Sequence, residues 1–178
     1  MGSYAAVKPM RLTLYINRST QYRGIQRLTY TVFSMLFQFL RIVFTNIFVY
    51  MASDPEYLNR DIDAIIQEPE TLLYISAESV RELIVAYRNK GLCSKRWKSA
   101  EAMIVAIEKE FYVKILPLKK EHMQTYAHME INEAQGHKDP SDHVIIAHAI
   151  TEHLPLISSD TRFGFYRSQG LDLVFNQK

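Results

Sequence analysis

From residue 41 onward, short apolar runs alternate with stretches whose apolar residues return every three or four positions. RIVF, residues 41–44, predicts a short strand. Residues 55–67 are helical in pattern, with Leu58, Ile62, Ile65 and Ile66 along one side. LLYI (72–75) predicts a second strand. Residues 77–89 carry Val80, Leu83, Ile84 and Tyr87 at helical spacing, and Gly91 ends that helix. A further helix is expected over 96–109, then a strand over 112–116 that Pro117 stops. Residues 119–134 read as a helix ending at Gly136, and 140–152 as another. PLIS (155–158) and LDLVF (171–175) predict the last two strands. Strands that alternate with helices predict an α/β fold, a mostly parallel sheet covered on both faces. In such sheets the working site lies beyond the carboxyl ends of the strands.

The first forty residues differ. Residues 1–27 carry Lys8, Arg11, Arg18, Arg23 and Arg27 and no acid. Residues 28–51 then run with one charge, Arg41, a length that can span a bilayer. Thr29, Thr31, Ser34, Gln38, Thr45 and Asn46 interrupt that run, and a charge near the middle of a lone span is costly. A cleaved signal peptide fits worse, because the apolar stretch starts late and no small-residue cleavage site follows. The expectation is therefore an N-terminal extension over 1–40, a folded domain over 41–178, no membrane partner and a cytoplasmic location.

Composition narrows this only slightly. A chain of 178 residues is about one domain and buries a core without staples. Cys93 is alone, which excludes an internal disulfide and fits a reducing compartment. Net charge is +2, too small to argue for nucleic acid, so any such argument rests on local clusters. Arg88, Lys90, Lys95, Arg96 and Lys98 form one, with Trp97 among them. It suits RNA phosphates with Trp97 stacked on a base, or equally a solvated surface with Trp97 in the core. His143, His148 and His153 recur every five residues and fan around a helix, which predicts solvated or capping histidines and no zinc site.

Three acids fall where an α/β sheet keeps its chemistry. Glu82 lies in the helix after the second strand, Asp142 opens the helix after Lys138, Asp139 and Pro140, and Asp160 follows PLIS. With Asp139 they would make a hard oxygen site for Mg²⁺ or Mn²⁺. Each also has an ordinary explanation. Asp139 suits an N-cap followed by Pro at N1, and Asp142 favours the helix dipole. Glu82 opposes the apolar stripe of its helix, and Asp160 suits a turn.

The pattern around these acids is more specific. ISAESVRELIVAY resembles the second motif of PIN domains, with Ser76, Ser79, Glu82 and Leu83 at its fixed positions. HKDPSDHVIIAHAITEHLPLISSDTRFGFY is similar to the third and fourth motifs in order and spacing. Asp139, Pro140 and Asp142 match first, then Ile146 and Ala147, then Ser158 and Asp160, with His143 where a basic residue is usual. The resemblance covers about 41–175 and is nearest to the VapC toxins of toxin–antitoxin pairs. It implies a PIN-like three-layer fold and a metal-dependent ribonuclease with Glu82, Asp142 and Asp160 as catalytic carboxylates. It implies those three and Asp139 as ligands of Mg²⁺ or Mn²⁺, with Thr45, Asn46 and Ser158 in support. It also implies a cognate antitoxin, an RNA substrate and a homodimer, whose contact surface Trp97, Met103, Ile104 and Ile107 would suit.

The first motif departs. The family places Asp-Thr-Asn after the opening strand, whereas here RIVF runs directly into Thr45, Asn46 and Ile47. Either Phe44 stands in place of the Asp or an Asp between Phe44 and Thr45 is deleted; a complete RIVF strand favours deletion. Family members also begin close to this strand, and a frameshift or misread start accounts for both departures. Without that Asp, an inactive relative that binds antitoxin or RNA without cutting is the alternative.

Overall fold

The chain is described by a computed structural model over residues 39–90 and 96–177. The basic N-terminal stretch, residues 28–38 of the apolar run, Gly91, Cys93 and Lys95 lie outside the described residues. Five parallel strands form one sheet: β1 (Leu40–Val43), β2 (Leu72–Ser76), β3 (Lys114–Leu116), β4 (Leu156–Ser158) and β5 (Leu173–Phe175), in the order β3-β2-β1-β4-β5. β1 is central. Ile42 faces Tyr74 on one side and Leu156 on the other. Ile42 and Val43 are fully buried, as an inner parallel strand requires. The order reverses between β1 and β4, and that switch point opens a crevice beyond the strand ends.

Helices flank the sheet: α1 (Thr45–Ser53), α2 (Arg60–Gln67), α3 (Ala77–Lys90), α4 (Ala100–Lys109), α5 (Lys120–His128) and α6 (Pro140–Glu152). Sequence reading missed α1. Its sequence TNIFVYMAS is apolar at nearly every position, so no 3.6-residue contrast marks it. It buries Ile47, Phe48, Met51 and Ala52, so the end of the span-length apolar run belongs to this core. No helix among the described residues is long and apolar enough to cross a membrane.

Other boundaries moved for local reasons. The helix expected over 55–67 splits into a 3-10 turn (Pro55–Tyr57) and α2, because Asn59 caps α2 by accepting from Ile62 N at 2.8 Å. The helix expected from residue 96 starts at Ala100, where Ser99 accepts from Ala102 N. The strand expected from Tyr112 starts at Lys114, since Tyr112 takes a positive φ of 55°. The helix expected over 119–134 stops at His128; Asn132 instead caps a 3-10 turn, Glu133–Gln135, and donates its N–H to Tyr166 Oη at 3.3 Å.

Packing decides between the two readings of Trp97, in favour of the core, and corrects the expectations for the contact surface and the histidines. Trp97 is 5% exposed, edge-on to Phe111 and stacked with Phe48, so its faces are not open to a base. Met103 and Ile107 are likewise core residues and present no partner surface. His143 and His148 are not solvated. α6 is buried around most of its circumference, so fanning about the axis does not carry them to water. His153 alone of the three is exposed, as the left-handed C-cap of α6. His148 meets His122 and Glu152. His122 Nδ1 accepts from Lys119 N–H at 3.0 Å, so its proton sits on Nε2, which donates to Glu152 Oε1 at 2.9 Å. That bonding leaves His122 no lone pair for a cation.

Candidate metal centre

The residues singled out in the sequence stand on separate elements around the switch point. β1 stops at Val43, and Phe44 is the extended N-cap of α1, with no side-chain hydrogen bond to the helix. Thr45 and Asn46 open α1. Glu82 lies in the second turn of α3. Asp139 caps α6, accepting from Ser141 N at 2.9 Å, with Pro140 at the first helical position. Asp142 sits in the first turn of α6, where a carboxylate favours the helix dipole. Ser158 ends β4, and its Oγ accepts from Asp160 N at 3.1 Å, fixing the turn that presents Asp160.

A cleft of about 480 Å³ is lined by Phe44, Thr45, Asn46, Glu82, Asp139 and Asp142, among others. One oxygen each from Glu82, Asp139 and Asp142 lies within 4.8 Å of the others. Thr45 Oγ1 donates to Glu82 Oε2 at 2.5 Å. Asn46 Nδ2 donates to Ser159 Oγ at 2.8 Å, while Asn46 Oδ1 is buried without a partner. Asp160 joins Asp142 in a second group of the same tightness, with His137 in place of Glu82 and Asp139. The two groups share Asp142, and among the described residues Glu82 and Asp160 share none.

Three carboxylates and an orphaned amide oxygen around one cleft are the donor set of a hard divalent cation, so Mg²⁺ or Mn²⁺ fits the residues present. Electrostatics agree. Burial, together with the carboxylates of Asp142, Asp139 and Glu78, pushes Glu82 up from 4.5 to about 7, against the Thr45 hydrogen bond. Burial also raises Asp142, from 3.8 to about 7, helped by Asp139 and Asp160 and opposed by Arg162. Crowded anions of this kind are relieved by a proton or a cation. Asp160 goes the other way. Burial works to raise it, but Arg162 outweighs burial with bonds to both oxygens, the shortest 2.5 Å, and holds the carboxyl below its ordinary 3.8.

His137 carries a role that no sequence signal marked. It is fully buried, with Nε2 2.9 Å from Asp142 Oδ2 and Nδ1 2.9 Å from Tyr166 Oη. Burial, with Arg162 nearby, holds its pKa below 6.5, so the ring is neutral. The directions then follow. Asn132 N–H donates to Tyr166, Tyr166 donates to Nδ1, and Nε2–H donates to Asp142. Every member is satisfied, and one carboxylate oxygen of Asp142 is fixed in place. The motif fragment HKDPSD contains His137, but its partner Tyr166 is 29 residues away, so only the fold reveals the chain.

The basic cluster contributes less than its sequence suggests. Arg96 is committed to Ala52 O at 2.8 Å and to Glu110, and its guanidinium lies 5.2 Å over Trp97. Arg88 and Lys98 remain exposed.

Residues 42–168 match the family described as PIN domain. No curated protein matches the chain. Among solved structures, a VapBC2 complex from Rickettsia felis, bound to a DNA fragment from their promoter, resembles it with a TM-score of 0.58. That likeness is at 19% identity and covers 78% of this chain and 99% of the other. VapBC-1 from nontypeable Haemophilus influenzae gives 0.54 at 24% identity, over 78% and 99%. VapBC-5 from Mycobacterium tuberculosis gives 0.52 at 18% identity, over 79% and 99%. At these identities the likeness is one of fold.

Proposed function

From the premise that the chain belongs to the PIN domain family, we propose that it is a metal-dependent endoribonuclease, the toxin of a toxin–antitoxin pair, with a centre weakened at Phe44. One observation carries the reading: oxygens of Glu82, Asp139 and Asp142 meet within 4.8 Å beyond the strand ends. Glu82 and Asp142 are the principal ligands of this proposal, with Asp139 beside them. A bound Mg²⁺ or Mn²⁺ supplies an acidified water and neutralises charge on a phosphodiester. The chain's residues do the rest. Thr45 orients Glu82, and His137 orients Asp142. Asn46 Oδ1 offers an unspent acceptor in the cleft. Asp160, presented by Ser158, takes part only as Arg162 releases it. Arg162 is then a cation within 3.9 Å of Asp142 and suits a phosphate oxygen.

The proposed partner takes its support from the similar structures, which are VapBC assemblies; one is described as from a toxin–antitoxin family. In this reading a cognate antitoxin covers the centre, and the pair acts in the cytoplasm with the toxin as a homodimer. A second reading is favoured by Phe44 itself. Its ring lines the cleft where β1 ends and lies 4.9 Å edge-on to Phe163, and a phenyl cannot ligate a cation. On that reading the chain binds antitoxin or RNA without cutting.

Cleavage of a mixed RNA pool in Mg²⁺ and in Mn²⁺ separates them. The chain, Phe44→Asp, and a version with Asp inserted between Phe44 and Thr45 are compared, each with and without Glu82→Gln. The expected result is weak or absent cleavage by the chain and restored cleavage by one Asp-bearing version, lost again with Glu82→Gln. Silence from folded protein in every version would overturn the nuclease reading and favour the binding-only one.

A further inference from the structure

Beside the acidic cleft lies a second one of about 380 Å³, lined by Tyr50, Tyr57, Ser159, Thr161, Phe175, Asn176 and Gln177. Among the described residues, no charged side chain lines it. Tyr50 and Tyr57 are stacked at its wall, with ring centroids 5.3 Å apart and planes 20° from parallel. Tyr57 is nonetheless 40% exposed, so the pair offers aromatic surface to the cleft. The wall beside Tyr57 is held in place. Asn176 is buried, accepts from Asn59 N at 2.8 Å and donates to Tyr57 O at 2.9 Å.

The two clefts meet at one hydrogen bond. Asn46 lines the acidic cleft and Ser159 the second, and Asn46 Nδ2 donates to Ser159 Oγ at 2.8 Å. Asn46 and Tyr50 are one turn apart on α1, a rise of about 6 Å. A neighbouring nucleotide of an extended strand spans a similar step. Among the described residues an anionic ligand finds no cation in the second cleft, whereas a flat uncharged ring finds stacked aromatics and hydroxyl and amide groups at its edge.

We propose that the Tyr50–Tyr57 cleft seats a nucleobase of the single-stranded RNA whose backbone lies in the acidic cleft, one nucleotide from the scissile phosphodiester. This rests on the ribonuclease reading above. Stacking dominates, so any base is accepted, and the subsite contributes affinity and register more than sequence preference.

The test uses the full chain carrying Glu82→Gln, which prevents cleavage, and a single-stranded RNA decamer containing 2-aminopurine. Binding is read by anisotropy and stacking by quenching of the 2-aminopurine emission. Tyr57→Ala is expected to weaken binding roughly 5- to 100-fold and to abolish the quench, since an aromatic–base stack contributes about 1–3 kcal/mol. Tyr57→Phe, which keeps the ring, is expected to bind within about two-fold of the parent. Thermal melts of both variants show that the fold is kept, and Tyr50→Ala gives a second measure if Tyr57→Ala fails to fold. RNA binding that is tight in the parent and unchanged in the folded Ala variants overturns the subsite and leaves the nuclease reading standing. No RNA binding by the parent or by the chain with Glu82 intact overturns both. Unchanged RNA binding with lost antitoxin binding assigns the cleft to a peptide and overturns the proposal.

Discussion

His137 shows what a single buried residue does for a charged neighbour. A carboxylate such as Asp142 has rotational freedom that a cation must remove on binding. The Tyr166–His137 chain removes it beforehand. Outer partners of this kind are typically worth 10- to 100-fold in metal affinity. His137→Ala is therefore expected to weaken Mn²⁺ binding by about that factor, measured by the loss of the free Mn²⁺ paramagnetic signal. His137→Gln, which can still donate to Asp142, should recover part of it. Tyr166→Phe leaves Nδ1 without its donor and should fall between. Equal affinity in all four folded proteins would remove His137 from this role.

At the scale of elements, α6 joins two functions that sequence reasoning set against each other. Asp139 is an ordinary helix cap and also one of three crowded carboxylates; both descriptions are true of the same side chain. Asp139→Asn separates them. Asn caps nearly as well as Asp, so stability should change little. The lost charge should weaken Mn²⁺ binding and let Glu82 titrate at lower pH, since Asp139 helps to raise it. Calorimetry and a pH titration of the variant check both halves. The α6 segment was legible because its motif is local: Asp-Pro-x-Asp, an apolar helix, then a strand and Ser-x-Asp. α1 was not, because a buried helix carries no polar face to set its period. The network around His137 was not either, since it joins residues far apart in sequence. The alternation of strands and helices gave the sheet, whereas its order and the switch point required pairing that no local pattern encodes.

The whole molecule carries a crowding of negative charge that protons relieve and that a cation would relieve as well. Glu82 and Asp142 both sit near 7 when folded, against ordinary values of 4.5 and 3.8. Folded protein thus holds these protons more tightly than unfolded chain does. Stability they contribute is complete below about pH 4 and is lost as pH rises toward 7. In EDTA, the melting temperature of the parent should fall across that window relative to Glu82→Gln, because the buried histidines, lowered in pKa, work the other way in both proteins, and Mg²⁺ at pH 8 should close the gap. Glu82→Gln, which cannot ionise, should melt higher than the parent at pH 8 in EDTA and gain less from Mg²⁺. Equal melting temperatures of the parent and Glu82→Gln at pH 8 in EDTA would mean that Glu82 is not crowded in solution.

The order of the sheet also has a consequence in time. Of the described strands, β1 leaves the ribosome first, yet Ile42 must wait for Leu156 to arrive before its second side is paired. At ribosomal speed that wait is on the order of ten seconds. Asn46 likewise waits for Ser159, and Asp142 for the Arg162–Asp160 pair. The nascent chain therefore carries an open strand edge in its centre and a dispersed set of carboxylates until its last fifth is made. A ribosome producing this protein therefore does not meet an assembled acidic cleft until the end of the chain has been made.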